Sequence, residues 1–236
     1  MEGVSLLQDE AYNELKQMIR DGVFEIGRIY SVNDIAKRLN ISKTPVRDAV
    51  MKLSREDMLE ILPSRGFRMK KYSEQDIVEL YQLRCALEGY CGEVLAVRYQ
   101  GDNTMEEVEN LRAYITELEE AAAAGAEVSE ILEIDLKFHK EIIMNVMNDR
   151  IKDIMFNNIR CYRDMARKSL TYDEGYRETL KEHRTILAAI ESGDPSAARK
   201  AIIHHIETPL RYNVDDYGEF WKNIREMFPE MRPIYV

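Results

Sequence analysis

Apolar residues recur every three or four positions through most of the chain, which is the spacing that one face of an α-helix presents to a core. In the first part of the chain this spacing predicts three helices, at about 6–19, 31–39 and 43–53. Beyond residue 73 it predicts seven more, at about 74–100, 104–124, 128–147, 149–170, 174–192, 195–212 and 216–227. Glycine, asparagine, aspartate and proline residues between these segments mark the turns.

One short stretch departs from helical spacing. Residues 59–62 and 67–70 are separated by Pro63-Ser64-Arg65-Gly66, and the second segment alternates apolar and polar residues as a hairpin strand does. We therefore predict a mainly α fold in two domains. Residues 1–72 would form a winged helix-turn-helix, and residues 73–236 an antiparallel all-α helical bundle with short loops.

Charge is distributed unevenly along the chain. The net charge of the 236 residues is −10, yet residues 28–71 carry 11 basic and 5 acidic side chains, whereas residues 73–236 carry 20 and 32. A basic module joined to an acidic one suits a protein that holds nucleic acid phosphates with its first part. The hydrophobic content of 45% is sufficient for buried cores and excludes a disordered chain.

Cysteine usage and the lack of long apolar runs predict a cytoplasmic protein. Cys85, Cys91 and Cys161 are odd in number and form no C-x-x-C pair, which argues against a disulfide framework or a thiolate zinc finger. No run approaches the roughly 20 apolar residues of a membrane span, and the acidic start is unlike a signal peptide. We expect no membrane partner.

The second and third predicted helices have the spacing of a helix-turn-helix. Ser42 can cap the third helix, and Lys43, Thr44 and Arg47 lie on its exposed side near the N-terminus, where a recognition helix contacts base edges. Arg47 can read a guanine through two hydrogen bonds. Basic residues also occur on ordinary surface helices, but the helix spacing, the cap and the hairpin all agree with DNA binding.

The same region resembles a known family. Residues 35–50 read IAKRLNISKTPVRDAV, and they are followed by Leu53 and by PSRGF at 63–67. This pattern is similar to the winged helix-turn-helix of the GntR superfamily of bacterial transcription regulators. The resemblance implies DNA contacts by six residues, of which the last two match less strongly: Lys43, Thr44, Arg47, Gly66, Arg38 and Arg65.

Four polar residues fall on the apolar stripes of the bundle helices. Asp135 and His139 are spaced i,i+4 on one helix, and His183 and His205 lie on the stripes of two later helices. Three imidazoles and one carboxylate are ligands that Zn²⁺, Ni²⁺, Mn²⁺ or Fe²⁺ accept. A single histidine on such a stripe is more often a core residue with a hydrogen bond, but a set of three with an aspartate favours a metal site.

A buried arginine is predicted on the first bundle helix. Arg84 lies on the stripe of Ile77, Leu80 and Leu87, where its guanidinium needs an anionic partner. Two partners are equally compatible with the spacing, namely Glu88 one turn later and the carboxylate of a ligand in the bundle cavity. His204, next to His205 but rotated by about 100°, is expected around the metal ligands or at the surface.

The bundle also resembles a known domain. LYQLRCALEG at 80–89, DLKFH at 135–139 and EHRTILAAI at 182–190, with 193–205, are similar to the FCD effector domain of the FadR subfamily of GntR regulators. The resemblance implies a divalent metal on Asp135, His139, His183 and His205, and a carboxylate effector bound to it near Arg84. Three further candidates for the effector pocket are Arg160, Arg163 and Tyr162.

These observations predict a ligand-responsive transcription regulator that binds a pseudo-palindromic operator as a homodimer. A metal-dependent hydrolase is the alternative, because three histidines and an aspartate with an open position could activate water. Glu182, the only carboxylate beside His183, is predicted to point about 100° away from that site, so the hydrolase would lack an obvious general base. We therefore predict that the protein is not an enzyme.

Overall fold

The computed structural model describes residues 2–56, 58–99, 105–171 and 175–214. The predicted helix at 216–227 lies outside these residues. The chain forms two compact units, Met1–Ser73 and Glu74–Val236. In the described parts of the chain, every helix is either too short or too polar to cross a lipid bilayer.

The first unit is a winged helix-turn-helix, which confirms the predicted fold class. Its elements are α1 (Glu2–Arg20), β1 (Ile29–Tyr30), α2 (Val32–Arg38), α3 (Lys43–Arg55), β2 (Leu59–Leu62) and β3 (Gly66–Met69). The strands form an antiparallel sheet in the order β1-β3-β2. Strand β1 was not predicted, because two residues are too few to show an alternating pattern.

The helix caps and a small core hold this unit together. The Ser31 side chain accepts a hydrogen bond from the backbone N–H of Asn33 and so caps α2. Ser42 occupies the N-cap position of α3, as predicted, but its side chain makes no capping hydrogen bond. Leu15, Leu53 and Phe67 are fully buried, so the apolar faces of α1, α3 and β3 meet in one core.

Gly66 is required by the way in which the wing meets β1. Its φ of +119° lies in a region that other residues rarely adopt, and a Cβ atom there would be 2.1 Å from the Tyr30 carbonyl oxygen. Tyr30 is paired with Phe67, the residue after Gly66. A side chain at position 66 would therefore push β1 and β3 apart, which gives this glycine a structural role in addition to any contact with DNA.

The second unit is an all-α bundle, also as predicted. Its helices are α4 (Glu74–Tyr99), α5 (Glu106–Ala123), α6 (Val128–Met144), α7 (Asp149–Asn157), α8 (Ile159–Leu170), α9 (Gly175–Glu191), α10 (Pro195–Glu207) and α11 (Leu210–Asn213).

Two of the predicted bundle helices are interrupted in the structure. The segment predicted as 149–170 is divided at Asn158, whose φ and ψ of −100° and 2° end α7 and begin α8. The segment predicted as 195–212 is divided before α11 at Pro209, which has no backbone N–H to continue the helical hydrogen bonds. Both segments keep helical spacing across the break, which is why the periodicity predicted single helices.

Helices α4 and α10 approach each other closely at a glycine. A Cβ atom on Gly92 would lie 2.1 Å from the Cδ1 atom of Ile202, which is fully buried. The missing side chain therefore lets α4 lie against α10. This close packing brings Arg84 and Glu88 of α4 near His205 of α10 in the interior of the bundle.

Candidate functional site

The four predicted metal ligands converge in the interior of the bundle. Helix α6 supplies Asp135 and His139 from adjacent turns, α9 supplies His183, and α10 supplies His205. One ligand atom from each of these residues lies within 4.8 Å of the other three, and all four side chains are buried. Their sequence separation spans 70 positions, so only the packing of three helices brings them together.

The closest contacts involve the Nε2 atoms of the three histidines. His139 Nε2 is 2.9 Å from His205 Nε2, and His183 Nε2 is 3.3 Å from Asp135 Oδ1. His183 Nε2 is buried and makes no hydrogen bond of good geometry. The imidazole of His183 stacks on Phe138, with ring centroids 3.9 Å apart and planes at 7° to each other. The stacking holds this ring in a single orientation.

Two glutamates bind the other nitrogens of His139 and His205. His139 Nδ1 is 2.7 Å from Glu88 Oε2, and His205 Nδ1 is 2.8 Å from Glu182 Oε2. The Arg84 guanidinium donates to the same Glu88 carboxylate, so His139 Nδ1 is assigned the proton and donates to Glu88, while His205 Nδ1 and Glu182 share a second hydrogen bond. The Nε2 atoms of His139 and His205 face each other across the 2.9 Å contact.

Burial controls the charge of the site. It lowers the pKa of His183 to about 4 and that of His205 to about 3, because a charged imidazole is poorly solvated there. Burial alone would raise the pKa of the Asp135 carboxyl, but its contacts with His183 and the other histidines lower that pKa well below its usual range. At neutral pH the site thus has two neutral imidazoles and an anionic carboxylate.

This donor set fits a divalent transition metal ion. Two imidazole nitrogens 2.9 Å apart need a proton or a cation between them, and His183 Nε2 is buried without a hydrogen bond of good geometry. Three imidazole nitrogens and one carboxylate oxygen form a common ligand set for zinc and its neighbours. Asp135, His139, His183 and His205 would hold the ion.

Arg84 pairs with Glu88 one turn later on α4, which is one of the two partners that its spacing allowed. Its Nε atom donates to Glu88 Oε1 at 2.5 Å, and both side chains are almost completely buried. The guanidinium carbon also lies 5.0 Å from the centroid of the Tyr162 ring. Arg84 therefore forms a buried ion pair next to His139, and its role towards an effector stays a prediction.

The three further candidates for the effector pocket lie on α8 and differ in their contacts. Tyr162 is buried and faces Arg84. Arg160 is buried, with Nη2 3.8 Å from Asp164 Oδ2. Arg163 forms an ion pair with the half-exposed Glu133 of α6. Tyr162 is thus connected through Arg84 to the histidine cluster, whereas Arg163 is engaged by an acidic residue of a neighbouring helix.

Glu182 points away from His183 of its own helix, as expected, but lies beside a histidine of the neighbouring helix. Its side chain is buried, and it contacts His205 of the neighbouring helix rather than His183 of its own. A rotation of about 100° on α9 directs Glu182 away from the face of His183 but towards α10. His204 Nε2 lies 3.5 Å from Glu182 Oε1. His204 therefore lies around the predicted ligands, which was one of the two positions expected for it.

The predicted DNA contacts cluster around the recognition helix and the wing. Lys43, Thr44 and Arg47 are exposed on the first two turns of α3, and Arg38 is exposed at the end of α2. A crevice of about 520 Å³ separates α3 from the turn of the wing. It is lined by residues of α2, α3 and the wing, including Asn33, Arg47, Arg65 and Gly66. Asn33 was not among the predicted contacts.

Comparison with known protein families gives two matches that together cover most of the chain. Residues 7–69 match the family described as bacterial regulatory proteins, gntR family, and residues 79–208 match the FCD domain. These are the two families that the sequence motifs resemble. The second match includes all four residues of the histidine cluster.

Several bacterial transcription regulators are similar along most of their length. The regulator YdhC of Bacillus subtilis is 26% identical over 82% of this chain and 85% of its own. A probable D-xylose utilization operon transcriptional repressor of Paenarthrobacter nicotinovorans is 28% identical, over 81% and 82%. The gluconate operon transcriptional repressor of Bacillus licheniformis is 24% identical, over 80% and 77%.

Solved structures share the fold. Escherichia coli McbR/YncC superimposes with a TM-score of 0.68 at 20% identity, over 90% of this chain and 99% of that chain. A GntR transcriptional regulator from Rhodococcus sp. RHA1 has the same TM-score at 21% identity, over 89% and 98%.

Proposed function

Because the chain belongs to the gntR family of bacterial regulatory proteins and contains an FCD domain, we propose that it senses a small carboxylate through a bound metal. It is a transcriptional regulator rather than an enzyme, since its families and its relatives are regulators, and the hydrolase alternative has no support among them. We further propose that it represses transcription in the bacterial cytoplasm, as the names of two relatives suggest.

The single observation that carries the proposed sensor is the buried cluster of Asp135 and three histidines. Four potential ligand atoms within 4.8 Å of one another, two of them imidazole nitrogens that face each other, suit Zn²⁺, Ni²⁺, Mn²⁺ or Fe²⁺. When bound, the ion would supply the positive charge that holds an effector carboxylate. Arg84 and Tyr162 lie beside the cluster, and we propose that they orient the effector, with Arg160 and Arg163 further along α8.

The winged unit is proposed to bind operator DNA. Arg47 on α3 would contact a base edge, while Lys43 and Thr44 would hold phosphate or base at the start of the same helix. Arg65 and Gly66 would contact the DNA backbone from the wing, which shares a crevice with Arg47. The effector would bind one conformation of the protein more tightly than another. It would thereby shift the population between conformations that differ in their affinity for the operator.

A second apolar stripe on α4 supports a homodimer. Leu80 and Leu87, which were predicted on the buried stripe of Arg84, are in fact only partly buried. They belong to a set of six residues that alternate three and four positions apart and are at most partly buried in a single chain: Leu80, Leu83, Leu87, Tyr90, Val94 and Val97. Tyr90 and Val97 are 47% and 48% exposed, although the adjacent stripe through Cys91 and Leu95 is fully buried. Such alternating spacing is typical of helices that pack against an identical helix. We propose that the α4 helices of two chains pack along it.

Changing Leu87 to glutamate is expected to weaken this dimer by at least about a hundredfold. The substitution removes two buried leucine side chains per dimer, each contributing about 1.5–3 kcal/mol, and brings two charges together. Analytical ultracentrifugation measures the dissociation constant. Gln82→Glu is the matched control, because it adds the same charge to an exposed position of α4 outside the stripe. A dimer equally stable in both variants would contradict the proposed interface.

Thermal unfolding in the presence of small carboxylic acids tests the sensor. Sugar acids, hydroxy acids such as lactate, dicarboxylates and amino acids are tested with an added divalent metal and again with a chelator. An acid present at a hundred times its dissociation constant adds about 2.7 kcal/mol to the free energy of unfolding, which raises the melting temperature by several degrees. We expect such an increase only with metal present. No increase with any acid class in either condition would contradict carboxylate sensing.

A further inference from the structure

We infer that Glu88 and Glu182 are positioning residues that fix the tautomers of His139 and His205, so that both imidazoles bind the metal through Nε2. This inference rests on the proposed metal centre and adds two residues that do not touch the ion. Neither glutamate belongs to the ligand set, yet each is buried and bound to one ligand.

The first positioning contact joins α4 to α6. Glu88 Oε2 accepts from His139 Nδ1 at 2.7 Å, while its other oxygen accepts from Arg84 Nε at 2.5 Å. Because the Arg84 guanidinium donates to the same carboxylate, the imidazole nitrogen that faces Glu88 is the donor, and the lone pair of His139 is left on Nε2.

The second contact joins α9 to α10 and has the same form. Glu182 Oε2 lies 2.8 Å from His205 Nδ1, and Oε1 accepts from the Thr208 hydroxyl at 2.6 Å. His204 Nε2 is 3.5 Å from the same Oε1 atom. Three side chains of α10 and the following turn therefore hold this carboxylate in one orientation.

The two contacts act on one feature of the site. A neutral imidazole has one protonated nitrogen, so a carboxylate that accepts from Nδ1 leaves the lone pair on Nε2. The two Nε2 atoms are 2.9 Å apart and both lie in the ligand cluster, although they belong to different helices. A carboxylate behind a ligating histidine also raises the basicity of the ring and fixes its orientation. Both effects increase metal affinity.

The two glutamates differ in how they can be tested. Removal of Glu88 would leave the Arg84 guanidinium buried without its partner, so loss of stability would obscure any effect on the metal. Glu182 contacts a hydroxyl and two imidazoles, and its interaction with the Arg211 charge is electrostatic rather than a buried ion pair like that of Glu88 and Arg84. Glu182→Gln keeps the size of the side chain and its hydrogen-bonding capacity with Thr208, but removes the carboxylate.

The experiment measures zinc affinity of the full chain by competition with a chelator. We expect Glu182→Gln to bind Zn²⁺ about tenfold more weakly than the unchanged protein and Glu182→Ala about a hundredfold more weakly, the range typical of residues behind metal ligands. Glu178→Gln, the same substitution one turn earlier on α9, should bind as tightly as the unchanged protein. Thermal unfolding of the metal-free variants establishes that each one is folded.

Nitrogen-15 NMR of the histidine side chains separates positioning from a merely structural role. In the zinc-loaded unchanged protein, His139 and His205 should bind the ion through Nε2 and carry a proton on Nδ1. In zinc-loaded Glu182→Ala, the His205 signals should change or broaden while those of His139 stay in place.

The possible outcomes distinguish the positioning role of the glutamates from the existence of the metal site. Coordination through Nδ1, or Glu182 variants that bind zinc within twofold of the unchanged protein, would overturn the inference and leave the metal centre intact. If the unchanged protein bound no zinc at all, the proposed zinc site would fail and the inference with it.

Discussion

Replacing His183 by alanine is expected to reduce zinc affinity by at least about a hundredfold and to abolish the stabilisation by a carboxylate effector. A four-ligand zinc site contributes on the order of 10–16 kcal/mol, so one ligand corresponds to roughly 3 kcal/mol. His183 is 1% exposed and its Nε2 atom lies 3.3 Å from Asp135, so no other described side chain occupies its place in the cluster. Metal content after dialysis and competition with a chelator both measure the loss.

His204→Ala is the matched control for this variant. His204 is the one histidine of the four that lies outside the ligand cluster, although it adjoins His205, and its side chain is 30% exposed. We expect this variant to bind zinc within about fivefold of the unchanged protein, because His204 contacts Glu182 rather than the proposed ion. Equal metal content in His183→Ala and the unchanged protein would show that the proposed ligand set is wrong.

Replacing Arg47 by alanine is expected to remove specific operator binding while leaving the bundle folded. A bidentate contact between arginine and guanine contributes about 1–3 kcal/mol, and a dimer on a palindromic operator makes it twice. The expected loss is therefore about 2–6 kcal/mol, or from roughly thirtyfold to more than ten-thousandfold in affinity. Arg47 is exposed on α3, so its removal leaves no cavity. Fluorescence anisotropy with operator and unrelated DNA measures both affinity and specificity.

The control for Arg47 is Arg55→Ala, which removes the same charge from an exposed position in the last turn of the same helix. Because that end of a recognition helix lies away from the base edges, operator binding should weaken only modestly. Binding of the unchanged protein should also weaken steeply between 50 and 200 mM salt, by about a hundredfold or more if several phosphates are contacted. Unchanged operator affinity in Arg47→Ala would contradict the proposal that α3 is the recognition helix.

The sequence determined the two-unit architecture and one face of the proposed metal site, because both depend on short-range spacing. Apolar periodicity located the helices of the bundle, and the i,i+4 spacing of Asp135 and His139 placed both residues on the same side of α6 before any packing was known. The exposed N-terminal face of α3 followed in the same way from Lys43 and Arg47. Such relations lie within one or two helical turns, where backbone geometry alone decides which side chains are neighbours.

Only the tertiary structure decided which residues stand behind the ligands and where helices end. Glu182 points away from His183 on its own helix and contacts His205 on the next, so its role depends on how α9 and α10 pack. The choice of Glu88 as the partner of Arg84 also depended on packing, since a ligand carboxylate suited the spacing equally well. The breaks at Asn158 and Pro209 leave the apolar spacing intact. Contacts between helices join residues far apart in the chain, and a periodicity read along one helix contains no information about its neighbours.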